Sequence, residues 1–110
     1  MNQQPDTSAS EMDALLQALW TQNYGILLER LQLIRNASDQ LAAGSLDCET
    51  RKDAESAAHK LAGILGTFGL PQGSAVASKI ETSLAPEKPA DGPQLQSWLE
   101  ELEAIIASRS

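Results

Sequence analysis

The stretch Ala57-Ala58-His59-Lys60-Leu61-Ala62-Gly63-Ile64-Leu65-Gly66-Thr67-Phe68-Gly69 holds the only histidine of the chain and decides how the rest is read. With successive side chains about 100° apart on a helix, Ala54, Ala57, Ala58, Leu61, Ile64, Leu65 and Phe68 fall on one stripe. Their i, i+3, i+4, i+7 spacing is that of a core-facing surface. His59 falls on the opposite side, so the spacing predicts that it faces solvent. Its ridge carries Gly63 and Gly66 going forward and Ser56 and Lys52 going back. Each glycine inside an exposed helix costs about 1 kcal/mol relative to alanine, and folding gains nothing from either. They make sense where another molecule must approach the helix backbone beside the imidazole. The pattern points to a docking surface for a macromolecule rather than a pocket for a small ligand.

Outward from this helix, the chain reads as helices throughout. Residues 1–7 are polar, contain Pro5, and are expected as a disordered lead-in to a domain over 8–110. Ser8 to Trp20 predicts a short helix, started by Ser8 with Glu11 or Ser10 with Asp13, whose apolar side is Met12, Leu15, Leu16, Leu19 and Trp20. Thr21 to Ala43 predicts a long helix with Tyr24, Leu27, Leu28, Leu31, Ile34 and Leu41 facing in. Ile26 and Leu33 widen that face toward the short helix, and Gly25 marks a break between the two. Gly44 suits the position just past the helix end. Ser45 or Asp47 caps the histidine helix, which Gly69 and Pro71 stop. Pro71 to Leu84 is a further helix with Ala77, Ile80 and Leu84 inward and a thin start at Gly73. A loop with Pro86 and Pro89 follows. The last helix begins at Asp91 or Gly92 and has Leu95, Trp98, Leu99, Leu102, Ile105 and Ile106 on one face, Trp98 as a core anchor. No strand-like alternation interrupts this pattern. Short connections between helices favour an antiparallel up-and-down four-helix bundle, here with a short extra N-terminal helix.

Composition narrows the function. A chain of 110 residues, 42% of them hydrophobic, makes one domain with a modest core. Eight basic against fifteen acidic residues give a net charge of −7. That argues against nucleic-acid phosphates and anionic membrane surfaces as partners. Cys48 is alone, so the chain holds no internal disulfide and no cysteine-based zinc site. No apolar run approaches a membrane span, and the start lacks the features of a signal peptide. The expected setting is the cytoplasm.

At the residues around His59 the chain resembles the histidine phosphotransfer (HPt) domain family. His59, Leu61 and Gly63 match a family pattern of roughly His-x-Leu-Lys-Gly, and Gly69, Ala77, Ile80 and Glu81 follow in register. Ala62 departs from it, standing where the family usually has lysine. The resemblance implies a four-helix bundle that carries a phosphoryl group on the histidine between receiver aspartates. The implied partners are a response-regulator receiver domain and a hybrid or sensor histidine kinase. It also implies a carrier rather than an enzyme, with no cofactor of its own and Mg2+ expected on the partner receiver.

The chemistry suits one exposed histidine. With an ordinary pKa of about 6.5, imidazole is mostly neutral at cell pH and needs no activating base. The family's attacking atom is the far ring nitrogen. The near one is then free to be held by a hydrogen bond, for which Glu55 at i−4 and Ser56 at i−3 are the candidates on the same helix. Lys52, Lys60 and Arg51 lie close to His59 in sequence, and Lys79 on the following helix is a further candidate cation for an acidic receiver. With Ala62 in place of lysine, Lys60 is the possible substitute, and slower transfer or a narrower partner range is expected. A monomer is expected, and the Ile26–Leu33 side of the first long helix is where a dimer contact would lie. Two alternatives stay open: a helical interaction domain with an incidental histidine, and a non-phosphorylated member of the family that only binds.

Overall fold

A computed structural model of the chain describes residues 4–86 and 91–109. Four helices account for nearly all of it: α1 (Gln4–Ala42), α2 (Cys48–Thr67), α3 (Pro71–Ser83) and α4 (Gly92–Arg109), with no strand among the described residues. Each helix packs on its sequence neighbours, and α4 closes the ring on α1. The register shows the antiparallel order. The start of α2 lies by the end of α1, where the Asp47 amide donates to Gln40 Oε1 (3.2 Å), while Phe68 beyond the end of α2 stacks edge-on to Trp20 at 5.2 Å. Arg35 of α1 pairs with Glu103 of α4, and Ser74 of α3 donates to the Ala62 carbonyl of α2.

Local chemistry fixes the helix ends. Asp47 caps α2, its Oδ1 accepting from the Thr50 amide at 2.7 Å. Asp91 does the same for α4 with Gln94. Gly44 and Gly69 have φ of 75° and 73°, the left-handed region that suits glycine after a helix. At Gly69 the amides of Gly69 and Leu70 donate to the Gly66 and Leu65 carbonyls, which closes α2 with a Schellman turn. Pro71 then opens α3 at its first turn.

The core runs through Trp20, Leu27, Ile34, Leu61, Leu65, Ile80, Leu84, Leu95, Leu99, Leu102 and Ile106, all essentially inaccessible. Gly73 belongs to it. A Cβ there would stand 3.1 Å from Leu65 Cδ1 and 3.2 Å from Ile105 Cγ2, so its hydrogen lets α3 approach both neighbours. The thin start of α3 is a close contact among three helices.

Several expectations are corrected. The short N-terminal helix and the long one are a single 39-residue helix, without a boundary at Trp20 or Gly25. α1 takes in residues 4–7, expected ahead of the first helix, so neither Ser8 nor Ser10 is its cap; residues 1–3 lie outside the described ones. The anchoring of Trp20 explains the continuity: it is 1% exposed, ringed by Tyr24 and Phe68, with the Arg109 guanidinium 5.1 Å over its face. Breaking the helix there would pull it from the core. Because no first helix folds back, Ile26 and Leu33 are exposed rather than covered, and Leu28, expected on the inward stripe, is exposed as well. Trp98 is half-buried and lines a groove between α3 and α4 instead of anchoring the core. Part of the loop before α4, residues 87–90, lies outside the described residues.

Candidate functional site

α2 is built as the sequence predicts. Ala54, Ala57, Ala58, Leu61 and Leu65 are buried, and His59 stands on the outer face with 72% of its side chain exposed. Lys52, Ser56, Gly63 and Gly66 of the same ridge are exposed as well. A Cβ at Gly63 would meet nothing within 4 Å, and one at Gly66 would meet only Ser74 Oγ, at 3.6 Å. Among the described residues, no side chain fills the floor beside the imidazole.

The histidine does have one partner, and it comes from another helix. His59 Nδ1 lies 3.0 Å from Glu81 Oε2 of α3. A carboxylate only accepts hydrogen bonds, so this contact requires the proton on Nδ1. In the neutral ring the lone pair is then on Nε2, which has no hydrogen-bond partner among the described residues. The candidates on α2 itself do not serve: Ser56 is exposed without a bond to the ring, and Glu55 lines a groove with Cys48, Arg51, Lys52 and Pro86. A partner 3.0 Å away in space but 22 residues away in sequence carries no local signal. The available clue was the α3 ridge Ser74–Ser78–Glu81, whose i, i+4, i+7 spacing puts Glu81 in line with Ser74. Ser74 Oγ donates to the Ala62 carbonyl at 2.8 Å and holds that ridge against α2.

The cations are distributed differently from expectation. Lys52 and Lys60 are exposed and make no ion pair among the described residues. Lys60 and Ala62 lie about 200° apart around α2, which puts Lys60 on the opposite flank from Ala62. Arg51 Nε donates to the Leu84 carbonyl (3.0 Å), tying the start of α2 to the end of α3. Lys79 lines the groove between α3 and α4 with Trp98, away from the ridge that meets His59. No helix among the described residues is long and apolar enough to cross a membrane.

His59 thus stands on the outer face of a bundle helix, bonded at Nδ1 to a carboxylate of α3 and flanked by bare backbone. The family model of the Hpt domain matches residues 6–108. Comparison with curated proteins and with solved structures finds no significant match. With the match spanning nearly the whole chain, and the all-helical bundle beneath it, this protein belongs to the Hpt domain family, the phosphotransfer modules of two-component signalling.

Proposed function

We propose that the protein carries a phosphoryl group on His59 Nε2, receiving it from and returning it to aspartates of receiver domains in a phosphorelay. The observation that carries this is the pairing of His59 Nδ1 with Glu81, which leaves Nε2 unpaired on a side chain that is 72% exposed. In the forward step the Nε2 lone pair attacks the phosphorus of a receiver aspartyl phosphate. The N–P bond forms, the P–O bond to the aspartate breaks, and the carboxylate leaves with its electron pair. The Nδ1 proton stays in place. Positive charge develops on the ring as the N–P bond forms, and the Glu81 carboxylate offsets it without having to reorient. The reverse step returns the group to another aspartate.

The chain itself supplies a nucleophile, a positioning carboxylate and an open approach. Charge on the transferring phosphoryl group is met by the partner, whose Mg2+ and cationic groups supply the electrostatic stabilisation such transfers need. Lys52 on the histidine ridge adds a cation at the edge of the docking face. The test is transfer from a phosphorylated receiver to wild type and to His59→Gln. Acid-labile, base-stable label on wild type and none on the variant supports the carrier. Binding of receivers without label on wild type would instead favour the binding-only reading, with Ala62 in place of lysine as the feature behind it.

A further inference from the structure

The molecule is 64 Å long and only 21 by 19 Å across, because the first half of α1 runs past the bundle. Trp20 marks the last core contact, beside Phe68 and Arg109 near the ends of α2 and α4. Beyond it the arm carries Met12 at 55%, Leu15 at 54% and Leu19 at 37% exposure. A helix of a dozen or so residues with only water around it is marginal, and this one has an apolar face. The face continues onto the bundle. Met12, Leu19, Ile26 and Leu33 recur every seven residues, and the last two are 41% and 37% exposed. A strict seven-residue apolar repeat is the pattern of a helix that winds on another helix.

We propose that α1 pairs with α1 of a second copy in an antiparallel homodimer. The stripe is complementary to itself. When two copies are set antiparallel about a two-fold axis between Gln22 and Asn23, Met12 meets Leu33 of the partner and Leu19 meets Ile26 of the partner. Both pairs form twice, as an isologous interface requires. Sliding the copies by one heptad leaves an apolar layer unmatched, so this register uses the stripe best. The polar step in the stripe, Gln22 and Asn23, falls on the axis, where its amides can bond to one another. Arg30, which has no carboxylate partner of its own among the described residues, is placed opposite Leu15 and one turn from Glu11 of the partner. The five apolar side chains expose roughly 400 Å² per copy, so a pair covers roughly 800 Å² before the flanking polar residues are added, close to the ~1,000 Å² of a specific interface. The occupant is a second copy rather than a receiver because the arm lies beyond the ends of α2 and α4, away from the face that carries His59.

The experiment measures mass by light scattering over a dilution series, for wild type, Leu19→Glu and Ile26→Glu. All changed positions are exposed, and helical content by circular dichroism checks that the variants remain folded. The expected result is twice the chain mass for wild type and a dimer dissociation constant raised at least about tenfold in each variant. In a Cys48→Ser background, Gln22→Cys is expected to form a disulfide-linked dimer under mild oxidation much faster than Thr21→Cys on the far side of the helix. A wild type that stays at monomer mass, including one whose arm closes back on its own helix, overturns the proposal. So does a dimer indifferent to both glutamates, or one in which Thr21→Cys links as fast as Gln22→Cys.

Discussion

Replacing Gly63 by alanine separates folding from docking at the proposed site, because the two respond with opposite signs. Gly63 is inside α2, exposed, and a Cβ there meets nothing within 4 Å. Alanine therefore relieves the helix of the glycine penalty, about 1 kcal/mol, without a clash. For a domain of this size that raises Tm by about 4 °C. The same methyl stands one turn from His59, in the space a receiver would enter. An added methyl in a well-packed contact costs about 1–3 kcal/mol, and the middle of that range corresponds to about a thirtyfold weaker complex. The assays are a thermal melt and single-turnover transfer from a phosphorylated receiver titrated over its concentration range. A variant that is more stable and transfers as wild type would refute the reasoning that the glycines clear a docking floor. A variant that melts lower would refute the reading of Gly63 as unobstructed helix surface.

The same geometry sets the remaining outcomes. Glu81→Ala, which removes the acceptor at His59 Nδ1, is expected to slow transfer about tenfold while shifting stability by less than about 1 kcal/mol, as for other exposed pairs; Glu81→Gln, which keeps an acceptor oxygen, should recover part of the rate in the same single-turnover assay. Ala62→Lys should speed transfer or widen the set of receivers served, since it adds a cation one turn from His59; an unchanged rate with every receiver would dismiss the idea. Gly73→Leu drives a side chain into Leu65 and Ile105 and should cost about 2 kcal/mol or more of stability by chemical denaturation. The Thr50 amide holds the Asp47 carboxyl below its usual range; a depressed carboxyl stabilises the fold above its ordinary pKa and loses that contribution as pH falls through the lowered value, so Asp47→Asn should flatten the acid limb of Tm against pH.

Much of the bundle was legible because its signals are local. The stripe of α2 and the glycine stops at Gly44 and Gly69 each rest on residues within a turn of one another and are found where the sequence places them, and of the two cap candidates, Ser45 and Asp47, it is Asp47 that caps α2. Exposure of His59 follows from the same periodicity. What failed was decided by contacts distant in sequence. Met12, Leu15 and Leu19 look like a helix that should fold onto Ile26 and Leu33, and only the seating of Trp20 against Phe68 and Arg109 shows why α1 runs straight through. Glu81 reads as an ordinary surface acid until α3 is laid antiparallel on α2, which brings it to the imidazole. Gly73 reads as a weak helix start, and its packing role depends on Leu65 and Ile105 from two other helices.

The distribution of stabilising features over α2 follows from these contacts. Its inner face is small and flat, with three alanines among its five buried residues, so the helix sits close against its neighbours. Its ends are pinned by Asp47 and by the Schellman turn at Gly69, and its flank is tied to α3 through Arg51, Ser74 and Glu81. Apart from the Glu81 contact at His59 Nδ1, the outer face around His59 holds none of this. It gives up about 2 kcal/mol of helix preference at Gly63 and Gly66, and the helix remains regular because the opposite face and both ends hold it. A rigid helix with a bare outer strip keeps the imidazole in one place while leaving the approach to it open. The proposed phosphoryl transfer at a single nitrogen needs both properties.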